Sequence, residues 1–264
     1  MVRPTAKREA IFLGERNMAP KNGLFACLLP QACLLCGAPF LFESVDEAPD
    51  AAAIPLCRSC HRSLRPLAGR RCARCSQPLT SESALCLRCR EREFSFDANW
   101  SLFPYEGPIR ELIYQYKFRN NRRLGRYFAL WLAREYRVRY AGLPLVPVPF
   151  RPSGKRQRGW DHIECILGHL RRTYRIPVQT LLVRDNGRQQ KRLDFEGRMG
   201  NLKGRVRMRA GSTGSPASSL RFGLPSSVVL LDDIFTTGAT ASECSRVLRE
   251  AGVLKVSVLT IAID

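Results

Sequence analysis

The chain has no apolar run of about 18 residues, the length a membrane-spanning helix needs. The apolar run near residues 24–35 is short and is broken by Pro30 and Gln31. The first 23 residues are mixed and basic and lack the apolar centre of a secretory signal, so they read as a flexible tail. Acidic residues are scarce: 23 Asp and Glu face 43 Lys and Arg, a net charge of +20. Such an excess points to an anionic partner, with nucleic acid first. No internal repeat is evident apart from the cysteine pairs described next. These absences lead to the expectation of a cytoplasmic protein that reaches the inner face of a membrane only through partners.

Cysteine is abundant and unevenly placed. Of eleven cysteines, nine precede residue 90. Eight form four Cys-x-x-Cys knuckles: Cys33/Cys36, Cys57/Cys60, Cys72/Cys75 and Cys86/Cys89. This spacing lets two thiolates of one turn face a common tetrahedral ion. Disulfides would need an oxidising compartment, and no secretion signal supports one. The expectation is structural Zn²⁺, because a segment this small needs metal to fold. Sequential pairing joins the first knuckle to the second and the third to the fourth, closing two short loops. Interleaved pairing is the alternative. Cys27 is left over, and His61, next to Cys60, reads as a bystander. Residues 43–53, acidic and Ala-rich, form a loop between the first two knuckles.

Residues 228–240 carry the densest chemistry. Val228, Val229, Leu230 and Leu231 have the pattern of a strand buried on both faces. Asp232 and Asp233 follow at its end, then the small residues Thr236, Thr237, Gly238, Ala239 and Thr240. Beyond them Cys244, Val247, Leu248 and Ala251 line one helix face. A loop feeding a helix N-terminus offers unpaired N–H groups and the positive end of a dipole, so it suits an anion. Two carboxylates beside such a cradle can hold vicinal sugar hydroxyls. The chemistry is that of a site for a ribose bearing a 5′-phosphate.

Upstream, residues 94–105 read as one or two strands. Pro108 opens a helix with Ile109, Leu112, Ile113 and Tyr116 inward. A longer helix over residues 124–140 carries Tyr127, Phe128, Trp131, Leu132 and Tyr136. Residues 145–149 read as a short parallel strand ending in a proline-fixed turn. The basic stretch 151–160 follows, and Asp161 caps a helix with Ile163, Ile166, Leu167, Leu170 and Tyr174 on its apolar face. In a parallel sheet the loops at the strands' carboxyl ends converge on one crevice. That would bring the turn Val148, Pro149, Phe150 and Arg151, with Lys155 and Arg156, beside the acidic pair, where it suits a pyrophosphate. Residues 184–206 are polar, with Arg184, Gln189, Gln190, Arg198, Asn201 and Lys203. Residues 211–219 are expected to be a flexible loop, most simply closing a long hairpin. Gly252 stops the last helix, and residues 254–263 read as a buried strand.

The Asp-Asp-x-x-Thr-Thr-Gly-x-Thr spacing resembles the phosphoribosyl-pyrophosphate (PRPP) loop of type I phosphoribosyltransferases. With the cysteine knuckles, residues 116–119, the Val146–Pro149 turn, residues 155–160, and Gln189, Arg198, Asn201 and Leu202, the chain beyond residue 24 resembles the ComF family. One departure is Asp161-His162, where that family has an Asn-Gln pair, and His162 can donate in its place. The resemblance implies an α/β fold, a type I phosphoribosyltransferase-like parallel sheet flanked by helices with an N-terminal Cys-rich zinc-ribbon module. The expected division is a tail over 1–23, the zinc module over 24–93 and the transferase-like domain over 94–264.

It also implies PRPP with Mg²⁺ as ligand and a role in DNA uptake, natural transformation or DNA utilisation, alongside competence or DNA-translocation proteins. Asp232 and Asp233 would take the catalytic place, holding the ribose hydroxyls while pyrophosphate leaves. No acceptor pocket is recognisable, and no separate glutaminase domain is present, so turnover is left open. Single-stranded DNA binding is the second expectation, from Tyr114, Tyr116, Lys117, Phe118, Arg119, Lys155, Arg156, Arg158 and Trp160, which mix charge with aromatic rings. The alternative is an active phosphoribosyltransferase of nucleotide metabolism or salvage that binds no DNA.

Overall fold

The structure is a computed structural model that describes residues 31–40, 55–150, 159–185, 204–210 and 223–264. Cys27, the acidic segment 43–53, Arg151, Lys155, Arg156, Arg158, Gln189, Gln190, Arg198, Asn201, Leu202, Lys203 and the segment 211–219 lie outside the described residues. No helix among the described residues is long and apolar enough to cross a membrane.

The N-terminal part contains a two-stranded antiparallel pair, β1 (Gln31–Ala32) with β2 (Pro39–Phe40), and two short helices, α1 (Arg58–Ser63) and α2 (Leu87–Glu91). Then come β3 (Ala98–Pro104), α3 (Gly107–Phe118), α4 (Arg123–Arg139), β4 (Leu145–Pro147) and α5 (His162–Arg172). A second antiparallel pair, β5 (Leu182–Arg184) and β6 (Val206–Met208), precedes β7 (Ser227–Phe235), α6 (Ala239–Glu250) and β8 (Lys255–Ile263). The expected parallel sheet is present as four strands in the order β3-β8-β7-β4, every neighbouring pair parallel.

The sheet is covered on both sides, and its strands read accordingly. Val229, Leu231, Leu259 and Ile261 face the cluster built with α3, α4 and α5. Val228, Leu230, Val256 and Val258 face the cluster built with α6 and the β5–β6 pair. Period two in the strand splits one apolar run between two cores. Helix faces behave as their spacing predicts: Ile109, Leu112, Ile113 and Tyr116 are buried on α3, and Tyr127, Phe128, Leu132 and Tyr136 on α4. Asp161 caps α5, its Oδ1 accepting from the N–H groups of Ile163 (2.9 Å) and Glu164 (3.1 Å). Gly252, at φ +106°, follows the end of α6.

Residues 94–105 hold one strand, β3, within the expected one or two. One expectation on topology changes. The strands that flank residues 211–219, β6 and β7, belong to different sheets, so this segment joins two sheets, and the hairpin partner of β6 is β5.

Candidate functional site

Each cysteine cluster joins two successive knuckles. The sulphurs of Cys33, Cys36, Cys57 and Cys60 lie within 4.8 Å of one another, and so do those of Cys72, Cys75, Cys86 and Cys89. Pairing is therefore sequential, not interleaved. Cys36 and Cys57 sulphurs are 3.7 Å apart, and Cys75 and Cys86 sulphurs 3.6 Å. A tetrahedral Zn²⁺ with bonds of about 2.3 Å sets its sulphurs roughly 3.8 Å apart, whereas a disulfide needs about 2.05 Å. The ten described cysteines are all free. Backbone N–H groups of Leu35 and Cys86 point at the sulphurs of Cys33 (3.5 Å) and Cys72 (3.3 Å).

Burial and the neighbouring sulphurs split the thiols. Hydrogen bonding from Ser59 lowers Cys57 to about 6, while burial pushes Cys75 up to about 11. Four crowded thiols cannot all ionise unaided, so a divalent cation fits both sets. His61 stays outside the first set, its Nδ1 3.0 Å from the Tyr127 hydroxyl.

The acidic pair sits at the carboxyl end of β7. Val148 N–H donates to the Leu231 carbonyl (3.0 Å), which sets the turn after β4 directly beside Asp232. Asp232 Oδ1 accepts from the Asp233 N–H (2.8 Å). Asp233 Oδ2 contacts His162 Nε2 and lies 2.7 Å from Lys117 Nζ. The two carboxylates differ electrostatically. Burial, reinforced by the Asp233 charge, pushes Asp232 up to about 7. Burial acts the same way on Asp233, but Lys117 and His162 outweigh it and hold that carboxyl well below the usual range.

Behind the acids, the loop turns at Gly238, whose φ is +82°, and enters α6. A Cβ there would come within 2.8 Å of ring atoms of Phe235 and Phe94, so both the backbone and the space call for glycine. The Ala239 N–H points at Thr237 Oγ1 (3.4 Å). Thr236, Thr237 and Thr240 are half-buried, while Gly238 and Ala239 are buried.

Three residues assigned to a nucleic-acid surface go elsewhere. Lys117 faces Asp233, 116 positions away in sequence, with its side chain 15% exposed. Tyr116 is buried, its hydroxyl donating to the His162 carbonyl (2.5 Å). Trp160 is 8% exposed and packs edge-on against Tyr116 at 4.9 Å. Its ring seats α5 in the core and is not available to a base. Arg119 does remain on the surface. Its guanidinium lies 5.6 Å from the Tyr114 ring, which is 5.2 Å from the Phe118 ring. Tyr114 and Phe118 are 44% and 59% exposed.

His162 completes the acidic site, and Phe150 of the β4 turn packs against it at 5.1 Å. Its position after a helix cap that follows the basic stretch is the available signal. The site therefore gathers Asp232, Asp233, Lys117, His162, the Val148, Pro149 and Phe150 turn and the 236–240 loop.

The double zinc ribbon domain family matches residues 24–90. Over 215 residues the chain is 27% identical to Competence protein F of Haemophilus influenzae, covering 78% of this chain and 90% of that protein. It is 25% identical to Competence protein ComFC of Bacillus subtilis, with 83% and 89% covered. It is also 25% identical to DNA utilization protein YhgH of Salmonella typhi, with 87% and 96% covered. The likeness to the ComF family thus extends over most of the chain, and the two four-cysteine sets lie in the segment that matches a double zinc ribbon and suit structural Zn²⁺.

Proposed function

We propose that the chain binds PRPP with Mg²⁺ at the carboxyl end of its parallel sheet, and single-stranded DNA on its basic surface, in the uptake or utilisation of DNA. The observation that carries the first part is the meeting of an acidic pair, a glycine-turned helix N-terminus and the β4 turn at neighbouring strand ends. In this reading, N–H groups and hydroxyls of residues 236–240 cradle the 5′-phosphate. Asp232 and Asp233 accept from the ribose hydroxyls, and the Val148–Phe150 turn faces the pyrophosphate. Lys117 and His162 hold Asp233 ionised and oriented. Mg²⁺ would neutralise the pyrophosphate oxygens.

The names of the relatives support the DNA setting. The +20 charge and the exposed Tyr114, Phe118 and Arg119 stripe support the single-strand reading.

Calorimetry with PRPP and Mg²⁺ tests the site. Asp232→Asn should weaken binding about 30- to 1,000-fold, the loss expected for charge-assisted hydrogen bonds to ribose. Unchanged affinity in a folded variant would remove the assignment. Pyrophosphate release on adding candidate acceptors distinguishes an enzyme from a binding protein. For DNA, a labelled oligonucleotide should bind with a log–log salt slope of about −0.7 per phosphate contact. Phe118→Ala should lower affinity by about 1–3 kcal/mol per lost stack and leave the slope unchanged, whereas Arg119→Ala should reduce the slope. No binding at about 50 mM salt, where phosphate contacts are strong, would leave only the sugar-phosphate site.

A further inference from the structure

The two ribbons dock on different parts of the molecule. Cys33, Leu56 and Leu64 of the first join the core of α3, α4 and α5. Cys72, Cys75 and Cys89 of the second join the core of α6, which begins at the 236–240 loop. From α2 of the second ribbon, between the ligands Cys86 and Cys89, Arg88 reaches across. Its Nη1 donates to the Thr236 carbonyl (3.0 Å), and its guanidinium lies 5.9 Å from the Phe235 ring. Among the described residues, its buried Nη2 has no hydrogen-bond partner. The guanidinium also sits beside the Cys75 sulphur.

The chain leaving α2 continues the same wall. Phe94 closes on Gly238, so that a Cβ there would lie 2.8 Å from its ring. The Ser95 N–H donates to Ser242 Oγ (3.0 Å) in the first turn of α6. Arg74, from the third knuckle, donates to the Phe94 and Phe96 carbonyls (3.2 Å each). Ribbon, linker and loop are thus joined by hydrogen bonds at both ends of the turn.

A planar trans peptide points its C=O and N–H in opposite directions. Fixing the Thr236 carbonyl on Arg88 therefore turns the Thr237 N–H away from Arg88. We propose that Arg88 is a positioning residue, through which the second ribbon holds the 236–240 loop in its anion-binding shape. This rests on the reading of that loop as a phosphate cradle. A tetrathiolate zinc centre carries net negative charge, so metal in the Cys72, Cys75, Cys86 and Cys89 site draws the guanidinium into place. Linkage makes the effect reciprocal: a sugar phosphate in the loop tightens zinc in the second ribbon by the same factor that zinc tightens the sugar phosphate.

The test titrates ribose 5-phosphate into the zinc-loaded full chain. Arg88→Ala should weaken binding about tenfold or more, the size of one charge-assisted hydrogen bond, with both zinc ions and the melting temperature retained. Arg88→Lys should recover most of the loss, and Arg90→Ala, on the same helix but exposed, should bind as the wild type does. Hydrogen exchange at residues 236–242 should quicken in Arg88→Ala and not in Arg90→Ala, a readout that needs no ligand. In competition with a chelator, ribose 5-phosphate should raise the zinc affinity of one of the two sites in the wild type and of neither in Arg88→Ala. If the wild type binds and Arg88→Ala matches it in affinity, in exchange and in the effect of ribose 5-phosphate on zinc affinity, the inference is overturned alone. If the wild type binds no ribose 5-phosphate, the phosphate-cradle reading falls and takes the inference with it.

Discussion

At the centre of each ribbon lie four thiols within 4.8 Å of one another. At the centre of the sheet lie Val229, Leu230, Val258 and Leu259, all with 0% exposure. The helices differ in the same way. α1 has 6 residues and buries none of them, and α2 has 5 and buries only Cys89. Helices this short are unstable on their own, since nucleation outweighs the few bonds they gain. α4 has 17 residues and buries nine. Even the helix starts are unlike: α1 and α2 have the zinc ligands Cys57 and Cys86 at their N-caps, with no side-chain cap bond, while α5 has the carboxylate of Asp161. One region owes its shape to an ion, the other to apolar area removed from water.

The largest effect that separates the two is removal of metal, since structural zinc contributes about 10–16 kcal/mol in zinc-finger peptides. Metal analysis should find two zinc ions per chain, falling to one in Cys57→Ser and to one in Cys72→Ser. The variants should then diverge. Losing the first site frees a unit tied to the helices of the domain, through Gln115 Nε2 donating to the Leu34 carbonyl (2.8 Å) and His61 against Tyr127. Losing the second disturbs Asn99, whose Nδ2 donates to the Cys75 carbonyl (2.9 Å), and Ser76, whose Oγ donates to the Asn99 carbonyl (2.7 Å), both on or against β3. Cys72→Ser should therefore lower the melting temperature of the sheet domain more than Cys57→Ser. Equal values would mean that both ribbons are equally independent of the sheet.

What can be read in advance divides along a different line. The knuckles, the buried strands β7 and β8 and the apolar faces of α3, α4 and α5 repeat at short sequence intervals, so periodicity exposes them. The site is only half local. Asp232 to Thr240 form one continuous segment and are legible as such. Lys117 is not, because it stands among Arg119, Arg122 and Arg123, and no local pattern distinguishes the one cation that turns to Asp233. Trp160 misleads for the same reason, being next to a basic run. Its place immediately before the Asp161 cap, where an apolar residue packs back on its helix, is the better signal. The β5 and β6 strands have three residues each, too few for any period to appear.

A second difference concerns buried charge. In the ribbons a cation is there to neutralise the thiolates, and in the sheet domain Lys117 does this for Asp233, which also contacts the His162 ring. Asp233→Ala leaves both partners without their carboxylate, with side chains 15% and 6% exposed. It should cost about 3–5 kcal/mol, as does breaking a buried pair from one side. Asp233→Asn keeps an acceptor and should cost much less. Denaturant unfolding of the two variants checks this. An alanine variant as stable as the asparagine one would mean that the pair is solvated and that Asp233 is free for ligand alone.

The smallest effect bears on the helix starts. Asp161→Ala removes an acceptor from two N–H groups at 2.9 and 3.1 Å, a loss of about 0.5–2 kcal/mol. For a chain of this size that lowers the melting temperature by roughly 1–8 °C. Asp161→Asn or Asp161→Ser should recover most of it, because a cap needs an oxygen and not a charge. At Cys57 and Cys86 the same exchange, cysteine to serine, should recover nothing, even though serine is a better cap than alanine, because those positions hold metal. His162 follows Asp161 directly, and its ring faces Asp233. Fraying the first turn of α5 should therefore also weaken PRPP binding, by less than Asp232→Asn does. Should Asp161→Ala melt as the wild type does, the start of α5 is held by Trp160 against Tyr116 rather than by its cap, and the contrast with the ribbon helices would rest on packing alone.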